Sequence, residues 1–310
     1  MKNHTTVKTL VLAGLSNIPS LQLPLFLVFL LIYLMTLTGN LLILLLIFTD
    51  SHLHTPMYFF LGTLACLDMS YSSVTVPRML FDLFRELRTV SVSTCITQAF
   101  FFLLFAVSEL TVLAVMSYDR YIAICRPLHY MQIMTWNVCV QLVSGILVFS
   151  SAYALMHTIF LNKLTFCLPN VLQSFFCDLS QLLEVSCSDT FINVLLIFVI
   201  GTVSAVGILG ATFYPYIIII STVMKMTSKH MRYKVFSTCS SHLTVVFIFY
   251  STSLFNYYRS SANDHLVEDK VASVVFAILT PSINPVIYSL RNQELKLSLR
   301  RALRKLVSKK

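Results

Sequence analysis

Charge is scarce in this chain. Only 11% of its 310 residues are Asp, Glu, Lys or Arg, against about 25% in soluble domains, which argues against a water-soluble fold. Other absences narrow the reading further. There is no internal repeat, and no Pro/Gly-rich or low-complexity linker divides the chain, so a single domain is expected. The N-terminus shows no charged-then-apolar leader with a small-residue cleavage site, and the first apolar run is expected to act as an uncleaved signal anchor. No GxSxG or HExxH occurs, which removes the commonest hydrolase frameworks. A transporter would show inverted repeats and broken helices in matching halves, and neither is apparent.

Hydrophobic side chains are abundant, at 57%. A membrane span needs roughly 20 apolar residues, and seven stretches qualify: 24–48, 57–80, 95–118, 138–160, 191–224, 235–258 and 270–290. With the N-terminus outside, 14 of the 22 Lys and Arg fall on the cytoplasmic side, in the third inner loop and the tail above all. This is the positive-inside bias, and it explains the net charge of +9 by topology and anionic lipid headgroups; no nucleic-acid partner is expected. The expected organisation is an extracellular segment over 1–22, a seven-helix unit over 23–291 and a basic tail over 292–310. The sequon Asn3-His4-Thr5 lies on the predicted outside, which makes Asn3 a glycosylation candidate.

Charges inside the apolar runs are the functional candidates. From Phe100 to Met116 the only one is Glu109. A charge costs about 2.5–3.5 kcal/mol at a bilayer centre, so Asp119-Arg120 should lie at a water boundary. There the two can hold each other until a partner draws the Arg away. Asp68 in the second span faces the same cost as Glu109. Two close carboxyls cannot both stay ionised without a proton or a cation, which suggests a Na⁺ or proton site, with Asn40, Asn284, Ser108 and Ser282 completing an oxygen-rich pocket. Four cysteines, Cys95, Cys167, Cys177 and Cys187, lie on the predicted outside, where disulfides persist, and they allow three pairings.

The segment Met116-Ser-Tyr-Asp-Arg-Tyr-Ile-Ala-Ile-Cys125 resembles the MAYDRYVAIC signature of vertebrate olfactory receptors, a branch of the rhodopsin-like G-protein-coupled receptors. The likeness extends through Gly39-Asn40, Leu53-His-Thr-Pro-Met-Tyr-Phe-Phe-Leu61, Lys234-Val-Phe-Ser-Thr-Cys-Ser-Ser-His242 and Pro281-Ser-Ile-Asn-Pro-Val-Ile-Tyr-Ser-Leu-Arg-Asn292. It implies an all-α membrane protein, a seven-transmembrane helix bundle with a short amphipathic C-terminal helix on the inner leaflet. It also implies a plasma-membrane receptor, not an enzyme, that takes a small-molecule odorant and signals to a stimulatory olfactory-type heterotrimeric G protein, raising cAMP. Asp119, Arg120 and Tyr121 would form the coupling switch with Tyr216, Asn284, Pro285 and Tyr288, and Asp68 with Glu109 would line the ion site. Ser174-Phe-Phe-Cys-Asp178 is similar to the family's HFFCD, which implies Cys95–Cys177 and leaves Cys167–Cys187. Three positions depart from the pattern: Ser174 for His, Leu147 for Trp in the fourth span, and Pro215 for the Ser before Tyr216.

The outer half of the third span, Ala99 to Val107, carries no acid to meet an amine. Such a lining suits a small, neutral, mostly apolar ligand, with Phe102, Leu103, Ala106 and Val107 expected to face inward. On the sixth span Tyr250, Ser253, Leu254 and Tyr257 recur at helical spacing and offer hydroxyls. Cys239 and His242 are three apart, and packing or hydrogen bonding is their expected role over metal binding. In the tail, Leu295, Leu299, Leu303 and Leu306 share one helical face among basic residues, as expected of a helix lying on lipid.

Overall fold

A segment crossing hydrocarbon must satisfy its own backbone N–H and C=O groups, and a helix does so residue by residue. A computed structural model describes residues 7–16, 18–225, 227–228, 232, 239–240, 242–252 and 266–307. Among these, six helices are long and apolar enough to cross a membrane: α1 (Pro19–Thr49), α2 (Pro56–Asp82), α3 (Val92–Cys125), α4 (Trp136–Leu161), α5 (Phe191–Met224) and α7 (Lys270–Ser289). The sixth expected span is described over the apolar helix α6 (His242–Thr252). Hydroxyls within the helices bond back to carbonyls one turn earlier, as Thr36 does to Ile32 O (2.9 Å), Ser117 to Leu113 O (2.9 Å) and Thr158 to Ala154 O (2.9 Å). These hydroxyls are thereby carried in an apolar helix without an open donor.

α3 is the central post, packing against α2, α4 and α5, while α1 lies on α2 and α7. The α1–α7 approach explains Gly39: a Cβ there would lie 3.2 Å from Pro285 Cβ, so a larger side chain would push the two helices apart. Both α5 and α7 contain a π-helical turn, at Ile197–Gly201 and Val275–Leu279. Thr280 Oγ1 bonds to Val275 O at 3.0 Å in the second of these. Such widened turns cluster at functional positions in helices.

Helix ends differ from the apolar runs in one respect that matters. α3 continues to Cys125, so Asp119 and Arg120 lie inside the helix, not beyond it. The fourth-span position Leu147 faces outward, and Trp136 packs edge-on to Phe59 at 5.8 Å.

The outer end carries an element that sequence reading did not anticipate. Strand β1 (Thr9–Leu12) lies between β2 (Thr89–Ser91) and β3 (Val171–Leu172), antiparallel to the first and parallel to the second. Residues 7–16 are therefore folded onto the bundle, where a plain extracellular segment was expected. Disulfides join Cys95 to Cys177 and Cys167 to Cys187.

α8 (Gln293–Val307) closes the chain. Asn292 Oδ1 caps it, accepting from the backbone N–H of Glu294 (3.0 Å) and Leu295 (3.2 Å) and from Tyr58 OH (3.1 Å). The expected leucine stripe is only partly the packed face. Leu295 and Ser298 are buried, with Leu299 and Ala302 beside them, while Leu303 points outward. On the same helix Arg301 pairs with Asp50 at 2.8 Å, joining it to the first connecting loop.

Candidate functional site

The polar and aromatic groups inside the bundle form three tiers. At the mouth, the second outer loop enters the bundle: Phe175 and Phe176 are buried. Phe176 meets Phe102 at 4.9 Å between ring centroids, and Phe102 in turn meets Tyr71 at 5.1 Å and Phe276 at 6.0 Å. Gln98 ties the loop down: its Oε1 accepts from Cys177 N (3.0 Å), and its Nε2 donates to Val74 O (2.9 Å). Asp178, next to this disulfide, is held above the usual carboxylate range by burial, against bonds from Ser180 and the N–H groups of Leu179 and Ser180. Of the expected ligand contacts, Phe102, Leu103 and Ala106 are buried and Val107 half-buried. Tyr250 is buried on α6, its hydroxyl 2.9 Å from Thr212 Oγ1 on α5. Ser253, Leu254 and Tyr257 fall outside the described residues, as does Asn3.

The middle tier brings Asp68 of α2, Glu109 of α3 and Asn284 of α7 together. Asn284 Nδ2 donates to Asp68 Oδ1 at 2.9 Å and to Glu109 Oε1 at 3.0 Å. Both carboxyls are fully buried, and Asp68 Oδ2, Glu109 Oε2 and Ser108 Oγ have no partner among the described residues. Two of the residues expected here turn away: Asn40 donates to Thr36 O (3.0 Å) and Ser282 to Leu279 O (2.7 Å). The chemistry available is charge storage. One amide cannot satisfy two carboxylates, and two carboxyls this close do not both stay ionised without a proton or a cation.

The third tier, at the end of the bundle opposite the disulfides, is built on Asp119 and Arg120. Arg120 Nε donates to Asp119 Oδ2 at 3.0 Å, with Nη2 on the same oxygen, and Tyr130 OH donates to Asp119 Oδ1 at 2.8 Å. Asp119 is buried, and the Arg120 side chain retains 14% exposure. Tyr216 hydrogen-bonds His242 Nδ1, joining α5 to α6. Tyr216, Cys239 and Val223 form a small apolar cluster there with Tyr121 and Cys125 against it. Pro215 is accommodated within a continuous helix over Thr202–Met224. The Tyr288 hydroxyl is buried without a partner among the described residues. In the loop after α3, Leu128 projects with 89% exposure beside a cleft of about 450 Å³.

Sequence reasoning missed Tyr130, Thr212 and Gln98 as partners; each is an ordinary polar residue whose bond spans two elements. For Cys239 and His242, no group of three or more His, Cys, Asp or Glu able to hold a metal occurs among the described residues.

Comparison with known proteins agrees along nearly the whole chain. The family model described as Olfactory receptor matches residues 29–306. "Olfactory receptor 1G1" of Gorilla gorilla gorilla is 45% identical over 97% of this chain and 96% of the relative. "Olfactory receptor-like protein COR4" of Gallus gallus is 46% identical over 97% and 96%, and "Olfactory receptor 5B12" of Homo sapiens is 46% identical over 96% and 94%. Among solved structures, squid rhodopsin superposes with a TM-score of 0.68 at 17% identity, covering 94% of this chain and 88% of that one.

Proposed function

The chain belongs to the olfactory receptor family, a family of multi-pass membrane receptors and not enzymes, and on that premise we propose that it is an odorant receptor of the plasma membrane with its N-terminus outside. The ligand is a small, mostly apolar volatile held within the outer half of the bundle, near Phe102, Leu103, Ala106, Val107 and Tyr250. Burial supplies most of its affinity, and the Thr212–Tyr250 hydroxyl pair is the nearest hydrogen-bonding group. The ligand signals by preferring one packing of the helices, since a ligand indifferent to the two states shifts nothing.

The output is a stimulatory olfactory-type heterotrimeric G protein and a rise in cAMP. The observation that carries this reading is the closed Asp119–Arg120–Tyr130 lock beside the projecting Leu128. A guanidinium held by an adjacent carboxylate is released when a partner offers better acceptors, and an exposed leucine supplies an apolar anchor for that partner. Asp68 and Glu109 hold Na⁺ or a proton, and their occupancy favours the packing in which Asn284 bridges them.

A cAMP assay with a panel of medium-chain aliphatic alcohols, aldehydes and esters tests the reading. Arg120→Ala at wild-type surface level is expected to abolish the response of any active compound. An undiminished response in that variant refutes coupling through this surface.

A further inference from the structure

Arg88 is buried, at 5% exposure, beneath the N-terminal segment. Its Nε donates to Asp82 O (2.9 Å), Nη1 to Ala13 O and Nη2 to Ser16 O (2.8 Å). One guanidinium thus ties the end of α2 to the chain that follows β1. Arg78 braces the same corner, donating to Asp82 Oδ2 and to Thr89 O, both at 2.7 Å.

Gly14 is fitted to this latch. Its φ is +69°, and a Cβ there would lie 2.2 Å from Arg88 Nη1, so no other residue allows the guanidinium its place. Leu12 N bonds Arg88 O (2.9 Å), Ala13 N bonds Leu172 O (2.9 Å) and Gly14 N bonds Ser174 O (3.2 Å). The segment therefore reaches both outer loops at once. Beneath it, Leu10 and Leu12 pack in one cluster with Leu103, Phe166 and Cys177.

We propose that residues 7–16 are a strap, fastened by Arg88 across both outer loops, whose closure limits access from the outside to the bundle interior. Arg88 is a positioning residue: it touches the strap, not the interior. Opening requires release of its bonds to Ala13 and Ser16 together, which makes the latch cooperative.

The test is the rate at which a membrane-impermeant methanethiosulfonate reagent labels introduced cysteines on intact cells, and it needs no ligand. Background is low, because the four outer cysteines are in disulfides and Cys66, Cys125, Cys139 and Cys239 are elsewhere. Leu10→Cys reports the strap, and Ala106→Cys reports the interior. Arg88→Ala, Arg88→Lys and Gly14→Ala are each expected to speed labelling at both positions about tenfold or more, which corresponds to roughly 1.4 kcal/mol less closure. Gly14→Ala attacks the latch from the strap side and carries the test if the Arg88 variants do not reach the surface. Val11 and Thr89 face each other in the ladder, so Val11→Cys/Thr89→Cys should cross-link and slow labelling of Ala106→Cys several-fold. Faster labelling at Leu10→Cys with an unchanged rate at Ala106→Cys would overturn the control of access. Rates indifferent to Arg88, Gly14 and the cross-link would overturn the strap itself.

Discussion

Replacing Asn284 by Leu removes the one donor that both buried acids share while keeping the side chain's branching and heavy-atom number. Two bonds are lost, to Asp68 Oδ1 and Glu109 Oε1. A bond to a charged group contributes about 1.5–3 kcal/mol and a neutral one about 1. With a proton on one of the two acids, one bond is to a charged group and one to a neutral one, so the sum is about 2.5–4 kcal/mol. At roughly 2–4 °C per kcal/mol for chains of this order of size, the melting temperature of purified receptor in detergent should fall by about 5–15 °C. The partner variant is Glu109→Gln, which places a new amide donor beside Asp68 and deletes one acid. In a double-mutant cycle the pair Asn284→Leu/Glu109→Gln should be more stable than the sum of the singles predicts, by about 1–2 kcal/mol, within the range of directly contacting residues. Strict additivity, or a shift below about 2 °C for Asn284→Leu, would mean that the amide does not hold the two acids together and that the middle tier is ordinary packing.

Two further outcomes follow from the outer and inner ends of the bundle. Tyr250→Phe deletes the bond to Thr212 across α5 and α6, about 1 kcal/mol, and should lower maximal cAMP at unchanged surface level, whereas a wild-type maximum would reduce the hydroxyl to a packing accessory. For Asp50, burial opposes ionisation, but bonds from Ser298 and His52 and the nearby Arg301 charge outweigh it and hold the carboxyl well below its ordinary value of 3.8. Such a depressed acid stabilises the fold above that value and loses its contribution only as the pH falls toward the folded-state pKa. The effect of Arg301→Gln on stability should therefore be small, under about 1 kcal/mol for a pair with one exposed partner, and, in a His52→Gln background that removes the imidazole on Asp50 Oδ1, flat from about pH 5 to 8; a transition inside that window would contradict the pairing.

The helices were legible because lipid leaves a segment few choices. Asp68, Glu109 and Asp119-Arg120 stood out as charges in apolar runs, and the structure brings Asp68 and Glu109 to one amide and Asp119 to Arg120. What was not legible shares a cause. β1 is only four residues, Thr-Leu-Val-Leu, without apolar alternation, and it pairs with strands of three and two residues. Nothing in so short a run distinguishes a strand from a tail. The chain just after it is held by Arg88, 75 residues from Ala13, and turns at Gly14, whose left-handed backbone has no signature outside that contact. Tyr130 was likewise hidden: it follows Arg120 by ten residues, at the start of a one-turn helix over Tyr130–Ile133, and reaches Asp119 only because α3 extends past its apolar run. The leucine stripe of α8 was visible, but its rotation was not, since the packed face also takes in Ser298 and Ala302, which carry no apolar periodicity.

The length of α3 has a mechanical consequence. Between Cys95 and Arg120 the helix rises about 37 Å at 1.5 Å per residue. Its outer end is bolted by a disulfide to the loop above the bundle, while its inner end carries the guanidinium. A rod fixed at one end works as a lever: a tilt of about three degrees at the bolt displaces the far end by about 2 Å over that length. That travel is comparable to the difference between a made and a broken hydrogen bond. A displacement at the mouth too small to alter any single contact there can thus decide whether Asp119, at the far end, keeps its bond to Tyr130, which lies outside α3.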